Sequence, residues 1–173
     1  LLSVAHGRDL TQYIPFLSCG IGLKILRSTL VENYSAFTMA LDLGAQYRIP
    51  DWNLTTGLSV QNLGFNLKYQ ERGDPLPLTV RTGVGYRTLL RGRYVNSAFD
   101  LVITMDEGVK EHLGLEYSMG EGLMFRVGYK LGYDLDSLTI GIGVLFEKYR
   151  VDYGLALMGE LGLTHRLSSV IRF

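Results

Sequence analysis

Three histidines are the residues in this chain best suited to acid–base chemistry. His6 and His165 share the phase of the apolar side chains in their segments, whereas His112 lies between Lys110 and Gly114 on the opposite, polar phase. Nucleophilic hydrolases combine a histidine with a serine and a carboxylate, and the spacing of residues here suggests no such set. We therefore predict that the chain is not an enzyme.

The single cysteine and the glycine pairs do not indicate a further chemical site. Cys19 allows no internal disulfide and no cysteine-based metal site, and its apolar phase predicts a small buried side chain. Gly83 and Gly85 lie inside an alternating segment with no helix after it, so they do not match a phosphate-binding loop. We expect no metal ion and no cofactor.

Charged side chains recur on one phase of the alternating segments, where they are mixed with glycines. Two interpretations of this phase stay open. The charges form ion pairs that fill and stiffen the inside of a barrel, or a basic surplus attracts anionic solutes and carboxylate head groups. The candidate lumen-lining residues are Lys24, Asp42, Arg48, Arg81, Arg87, Asp100, Glu116, Arg126, Lys130, Glu147, Arg166 and Arg172.

The elements that would position these residues are β-strands, because apolar and polar residues alternate with a period of two. The clearest segment is Leu123–Gly132, and Leu138–Glu147, Leu78–Leu90 and Phe37–Arg48 repeat its pattern. With the weaker segments, about ten or eleven strands are expected, joined mostly by short polar turns. The weaker segments are Leu2–His6, Phe16–Leu26, Asn53–Tyr69 with a break at Asn62–Gly64, Tyr94–Met105, Val109–Ser118, Tyr149–Met158 and Leu163–Phe173.

Three segments are expected to interrupt the strands. Gln70–Pro77 is predicted to be irregular, since its prolines exclude a central strand. Asp51–Asn53 is predicted to be a turn whose Trp52 anchors the chain at an interface. Asn62–Gly64 is interpreted as a bend or a bulge.

Composition limits the classes of protein that fit. The 173 residues are enough for one domain, which is predicted to span 1–173. The net charge is zero and the pI is near 7.0, so the composition does not indicate a nucleic-acid-binding protein. We find no apolar run long enough for a transmembrane helix. The chain begins at Leu1 without a signal-peptide pattern, so we expect a processed or truncated product.

Three features favour a membrane barrel over a soluble sandwich. The apolar faces are continuous over segments of a length that spans a bilayer as tilted strands. The opposite faces mix glycine with full charges, as in Arg126, Gly128 and Lys130. Tyrosines and Trp52 lie near strand ends, as in an interfacial girdle. The predicted fold is therefore all-β, an antiparallel up-and-down transmembrane β-barrel that closes on itself or is completed by other strands, because lipid tolerates no open sheet edge.

The segment THRLSSVIRF (164–173) alternates and ends on an aromatic residue. It resembles the closing strand of bacterial outer-membrane barrels, in which the terminal aromatic strand is the signal for assembly. The resemblance gives Phe173 this role of assembly signal and places the protein in the bacterial outer membrane, with the lipid bilayer as a partner.

Four stretches carry a resemblance to one family. DLGAQYR (42–48), LSVQNLG (58–64), DPLPLTVRTGVGYR (74–87) and the closing segment are similar in order and spacing to the PorV/PorQ family, relatives of the FadL fatty-acid transporters. SVAHGRDL (3–10) and GIGLKIL (20–26) resemble that family's preceding pair of strands. The match covers most of the chain, and its motifs are structural.

The resemblance implies a non-enzymatic barrel with one of two roles, the passage of small hydrophobic molecules or a scaffold in type IX protein secretion. FadL-like members have about fourteen strands, within the range of outer-membrane barrels, and a plug. This chain is expected to be the C-terminal part of such a barrel or a shortened relative. The alternative is a structural β-barrel subunit that closes by assembly with other membrane or secreted protein subunits.

Overall fold

The computed structural model describes residues 2–30, 34–69, 72–105, 107–120, 122–133, 137–157, 159 and 162–171. Nearly all of these residues belong to β-strands, and a short 3-10 helix, Pro50–Trp52, follows the third strand. The strands are Leu2–Asp9 (β1), Leu17–Leu30 (β2), Tyr34–Ile49 (β3), Leu54–Gly64 (β4), Leu67–Tyr69 (β5), Arg72–Asp74 (β6), Thr79–Leu90 (β7), Arg93–Thr104 (β8), Gly108–Gly120 (β9), Leu123–Leu131 (β10), Ser137–Phe146 (β11), Tyr149–Leu157 (β12) and Leu163–Ile171 (β13).

Eleven strands form one sheet in the order β1-β2-β3-β4-β7-β8-β9-β10-β11-β12-β13. Each strand neighbours the next long strand along the chain, and the registers that define the pairs are antiparallel. The prediction of an all-β, antiparallel, up-and-down sheet of about ten or eleven strands is therefore confirmed. This order begins with β1 and ends with β13, which are its two terminal strands.

A small hairpin corrects the sequence prediction between β4 and β7. Gln70–Pro77 was expected to be irregular, and this is wrong for Arg72–Asp74, which pairs with Leu67–Tyr69 in a separate two-stranded sheet. The break in Asn53–Tyr69 lies after Gly64 rather than at Asn62–Gly64. The prolines exclude the main sheet, as expected, but they leave room for a short hairpin.

Tight turns connect the long strands where the sequence supplies residues that tolerate positive φ. Arg91 and Gly92 have φ of 51° and 75°, the conformation of a type I′ hairpin turn between β7 and β8. The predicted turn between β3 and β4 contains the 3-10 helix, after which Asn53 has a φ of 53°. Trp52 is 66% exposed there.

The chain forms two compact units. The first comprises Leu1–Ile49, Thr55–Thr82 and Val102–Gly108, and the second comprises Pro50–Leu54, Gly83–Leu101 and Val109–Phe173. Each group of contacts discussed below lies within one unit. No helix in the described ranges is long and apolar enough to cross a membrane.

The two faces of the second unit's strands differ in exposure. On β11, Ile140, Ile142 and Val144 are 46%, 38% and 47% exposed, whereas Gly141 is half-buried and Gly143 is buried. The same alternation holds in the middle of β10, where Phe125, Val127 and Tyr129 are exposed and the glycine and charged positions between them are half-buried. We call these the apolar face and the polar face. On these two strands, the hydrophobic face is the more exposed one.

The first unit has its best-shielded residues on β3. Ala36 and Ala40 are each 2% exposed and are the buried hydrophobic residues of the described ranges. Thr38 lies between them, and its hydroxyl donates to the carbonyl of Phe65 at 2.6 Å. Gly64 approaches the β3 backbone so closely that a Cβ there would lie 2.9 Å from the Cα of Ala40. Among the described residues of this unit, shielding therefore depends on small side chains and close backbone approach.

Candidate functional site

A continuous series of polar contacts crosses the polar face of the second unit. Arg87 of β7 donates from Nε to the side-chain oxygen of Asn96 of β8 at 2.8 Å. Asn96 donates in turn to Oε1 of Glu116 on β9, also at 2.8 Å. Each of these residues comes from the next strand of the sheet, so the contacts run across the strands rather than along them.

Arg126 of β10 continues the series. Its Nε donates to Oε2 of Glu116 at 2.7 Å, and its Nη1 donates to Oδ1 of Asp152 at 2.6 Å. Arg150 donates from Nε to the other oxygen of Asp152 at 2.7 Å. The side chains of Arg126 and Asp152 are 26% and 19% exposed, so this ion network is partly shielded from solvent. We call the six residues from Arg87 to Arg150 the polar ladder.

The strand register explains why Arg126 reaches two carboxylates. Arg126 is directly opposite Glu116 on β9, so their side chains leave the same face side by side. Asp152 belongs to β12, beyond β11, where it is opposite Gly143. A Cβ on Gly143 would lie 2.9 Å and 3.0 Å from the two terminal nitrogens of Arg126. The missing side chain of Gly143 therefore leaves the space through which the ion pair crosses β11.

A second glycine accommodates a predicted residue in a similar way. Asp100 of β8 lies over Gly83 of β7, and a Cβ on Gly83 would overlap its carboxylate. Asp100 and Arg81 both have interaction partners. Arg81 and Arg87 are exposed, and Asp100 is half-buried. At both positions, the absence of a glycine side chain leaves the space that a charged side chain occupies.

A smaller polar cluster lies in the first unit. Lys24 of β2 forms an ion pair with Oδ2 of Asp42 at 2.6 Å and donates to the side-chain oxygen of Asn62 at 3.1 Å. The backbone N–H of Asn62 donates to Oδ1 of Asp42 at 2.9 Å, and its side-chain amide donates to the carbonyl of Pro77 at 2.9 Å. Asn62 has a φ of 62°, which agrees with the predicted irregularity. The cluster holds this residue in its left-handed conformation.

A basic cluster lies near the start of β9 and the end of β10. Lys130 is half-buried on the polar face and is opposite His112 in the register. Nε2 of His112 is hydrogen-bonded to the hydroxyl of Tyr133 at 2.7 Å, and their rings are stacked. Nζ of Lys110 lies 4.5 Å from the centre of the Tyr133 ring. Lys130 is thus one of several basic groups on this part of the polar face.

The remaining predicted lumen residues do not join these clusters. Arg48 and Arg166 are exposed on β3 and β13. Glu147 lies in the turn between β11 and β12 with a φ of 51°, not on a strand. Arg172 and Phe173 lie outside the described residues.

Two of the three histidines, His112 and His165, contact tyrosines. His165 of β13 is hydrogen-bonded through Nδ1 to the hydroxyl of Tyr153 at 2.7 Å. His6 is exposed on β1. In the described ranges, no group of three or more histidine, cysteine, aspartate or glutamate side chains could hold a metal ion. The absence of enzymatic activity stays a prediction.

The apolar face of the second unit contains an open recess that the sequence did not predict. Its volume is about 430 Å³, and its walls include Tyr86, Phe99, Leu115 and Tyr129. Ser97 lines it as well, and the alternation of β8 puts this small residue on the same face as Phe99. The small polar residue Ser97 among the aliphatic positions of β8 was the only sequence signal of this recess. The other walls come from β4, β7, β9 and β10, and their positions could not be predicted from the sequence of β8.

Sequence reasoning also missed the two asparagines of these clusters. Asn96 links Arg87 to Glu116, and Asn62 links Lys24 to Asp42. Both are uncharged, so a search for alternating charges passes over them.

A scan of the sequence against protein-family models gives no match, and a search of curated proteins gives no related protein.

Proposed function

We propose that this chain is an outer-membrane β-barrel of the PorV/PorQ type, or a part of one, without enzymatic activity. The observation that carries the proposal is the exposure of its apolar face. Ile142 and Val144 are exposed while Gly143 between them is buried. A soluble sheet buries its aliphatic side chains against a second layer, whereas a membrane strand presents them to hydrocarbon.

The polar ladder supports the same proposal. In a membrane barrel, charges belong on the face away from lipid, where they pair with one another or contact water. Arg126 contacts both Glu116 and Asp152 on the face opposite Ile142. The ladder thereby joins neighbouring strands and stiffens the wall.

The proposed role is the passage of small hydrophobic molecules, with a secretion-associated scaffold as the other role that the family resemblance implies. The open recess of about 430 Å³ on the apolar face supports passage, since its apolar walls would accept a hydrophobic molecule that arrives through the hydrocarbon. The short turns at 50–53, 91–92 and 147–148 also favour passage, because a docking platform needs longer loops, and the connection between Gly64 of β4 and Thr79 of β7 is the exception.

A structural subunit that closes by assembly is the second candidate. The order of the main sheet ends at β1 and β13, and all residues of both strands are exposed. Unpaired strand edges are templates for pairing with another chain. In this case the barrel would be completed by strands from other copies or other proteins.

Detergent phase partition tests the membrane proposal. The chain is expressed with an outer-membrane targeting signal, the membrane fraction is dissolved in a non-ionic detergent, and the detergent is separated by warming. We expect recovery in the detergent phase. Recovery in the aqueous phase, or folding to a stable β-sheet protein without detergent, would overturn the proposal.

The mass of the intact assembly separates the two candidates. One chain per detergent-solubilised particle supports a barrel that this chain forms by itself. Two or more chains per particle support closure by assembly.

Uptake of a fluorescent hydrophobic probe into vesicles that contain the protein then tests passage, with empty vesicles as the control. Uptake equal to that of empty vesicles would contradict the transport role.

A further inference from the structure

One side of β3 is shielded at its beginning and exposed near its end. Ala36, Thr38 and Ala40 are 2%, 3% and 2% exposed. They alternate along the strand, so they share the side on which Asp42 lies, which we call the Asp42 side of β3. Gln46 is on the same side but is exposed. Ala36 and Gln46 are each opposite a serine of β2, so pairing within the sheet does not account for the difference.

The chain that follows β4 is folded back onto the shielded part. Thr38 donates from its hydroxyl to the carbonyl of Phe65 at 2.6 Å, and the N–H of Phe65 donates to the carbonyl of Met39 at 3.3 Å. β5 comes next, packs against β3 and pairs with β6, after which the chain returns to β7. We call residues 65–69 and 72–78 the flap, because this connection lies against the Asp42 side of β3 at Thr38.

Asn62 joins the two ends of the flap. It precedes the flap on β4, and its Nδ2 donates to the carbonyl of Pro77 at 2.9 Å. We call this hydrogen bond the latch. Asp42 accepts from the backbone N–H of Asn62, and Lys24 donates to its side-chain oxygen, so the direction of the amide group is fixed. Thr79 also donates to the carbonyl of Pro77, at 3.1 Å, but it adjoins that end of the flap and does not connect it to β4.

The described contacts hold the flap weakly apart from these hydrogen bonds. β5 and β6 have three residues each, and an isolated two-stranded hairpin is only marginally stable. The surface beneath consists of alanine and threonine side chains, so little apolar area is buried there. Phe65 is 80% exposed and does not anchor the flap. Loss of the latch should therefore open the flap locally, without unfolding of the main sheet.

We propose that the flap opens and closes over the Asp42 side of β3, and that the hydrogen bond between Asn62 and Pro77 holds it closed. In the closed form, the beginning of β3 is shielded from solutes, and in the open form solutes reach it. This inference goes beyond the proposed function and does not depend on it. In a membrane barrel, the side of a strand that faces away from lipid lines the interior, so the flap would control access to that interior.

Thiol labelling of single-cysteine variants tests the flap. Cys19 is the only cysteine of the chain, so Cys19→Ser gives a background without thiols. Ala36→Cys reports access beneath the flap, and Gln46→Cys reports access to the exposed part of the same side. We expect a maleimide to label Ala36→Cys more slowly than Gln46→Cys. Asn62→Gly should accelerate the labelling of Ala36→Cys about fivefold to tenfold, as loss of one hydrogen bond predicts, and leave that of Gln46→Cys unchanged.

Two controls separate opening of the flap from general destabilisation. Thr82→Val removes a side-chain hydrogen bond to the carbonyl of Gly57 in the same unit, away from the flap, and should not accelerate the labelling of Ala36→Cys. Ser137 is 4% exposed in the second unit, so Ser137→Cys reports unfolding of the main sheet. Asn62→Gly should leave the labelling of Ser137→Cys unchanged.

Hydrogen exchange followed by mass spectrometry tests the flap without a cysteine at position 36. The amide of Phe65 donates to Met39 in the closed form, so it should exchange faster in Asn62→Gly than in wild type or Thr82→Val. The full chain is used, in detergent if it needs detergent and in buffer if it does not, and circular dichroism confirms its β-sheet. Equal labelling of Ala36→Cys and Gln46→Cys, equal effects of Asn62→Gly and Thr82→Val, or equal acceleration at Ser137→Cys would overturn the inference. Detergent phase partition decides the membrane proposal separately.

Discussion

Arg126 forms an ion pair with Asp152 although the two residues lie on strands that are not neighbours. Arg126 is on β10 and Asp152 on β12, and Nη1 donates to Oδ1 at 2.6 Å across β11. The crossing point is Gly143, which is opposite Asp152 on one side and Met124 on the other. One glycine thus allows a cross-strand contact that spans three strands.

The first prediction concerns Gly143 itself. Gly143→Ala should lower the free energy of unfolding by about 1–2 kcal/mol, because the added Cβ occupies the space of the Arg126–Asp152 pair. The loss is smaller than for a fully buried pair, since both side chains keep some exposure. Equilibrium denaturant unfolding in detergent measures it.

Gly114→Ala is the control for this substitution. Gly114 is also on the polar face, but a Cβ there meets no atom within 4 Å. The change should be neutral or slightly stabilising, because alanine restricts the unfolded chain more than glycine does. Equal destabilisation by both changes would show that the crossing point has no special role.

The second prediction separates the charge of Arg126 from its shape. Arg126→Lys keeps the charge but cannot direct one nitrogen to Glu116 and another to Asp152, so it should lose about 1–2 kcal/mol of stability. Arg166→Lys on exposed β13 should change stability by less than about 0.5 kcal/mol. A thermal melt of both variants makes the comparison. If Arg126→Lys were as stable as Arg166→Lys, charge alone would account for the ladder.

The strands could be predicted from the sequence because the alternation is strong. Leu138–Glu147 alternates at every position except Leu145, and the structure has a strand at Ser137–Phe146 on which Leu138, Ile140, Ile142 and Val144 are exposed. Glu147 continues the pattern in the sequence, but its positive φ belongs to the turn. Periodicity indicates on which face of the sheet a side chain lies, whereas the end of a strand depends on the local conformation of the turn.

The partners within the site could be predicted only in part. Arg126 and Glu116 were both assigned to the polar phase, and the register makes them direct neighbours. Their contact required the register, which depends on the turn and the bulge beside Met124. The third partner, Asp152, required a further strand and the absence of a side chain at Gly143. The alternation of apolar and polar residues does not indicate which side chains pair across an intervening strand.

The third prediction concerns the backbone at Asn62. Asn62→Ala should destabilise the folded protein by about 2–3 kcal/mol. It removes the side-chain contacts to Lys24 and Pro77. It also places alanine, which adopts the left-handed region less readily than asparagine, at a positive φ. Asn62→Gly removes the same contacts without the conformational strain. It should therefore be less destabilising, by about 1 kcal/mol. Denaturant unfolding of the two variants isolates the backbone contribution, and identical losses would contradict it.

The last prediction tests which solvent the apolar face contacts. Ile142 lies in the middle of β11 and is 38% exposed. If this face contacts hydrocarbon, Ile142→Arg should destabilise the folded protein by about 2–4 kcal/mol, because a charge near the middle of a bilayer is poorly solvated. If the face contacts water, the same change at an exposed position should be within about 0.5 kcal/mol of neutral.

Phe146→Arg supplies the depth control for Ile142→Arg. Phe146 is on the same face at the end of β11 and is 69% exposed. Near the membrane interface, arginine should cost only about 0–1 kcal/mol. Unfolding is measured in phospholipid vesicles, where the bilayer provides the depth gradient that a detergent micelle lacks. A large loss at Ile142 with a small loss at Phe146 agrees with a membrane-spanning strand. The reverse order, or two small effects, would contradict the assignment of the apolar face to lipid.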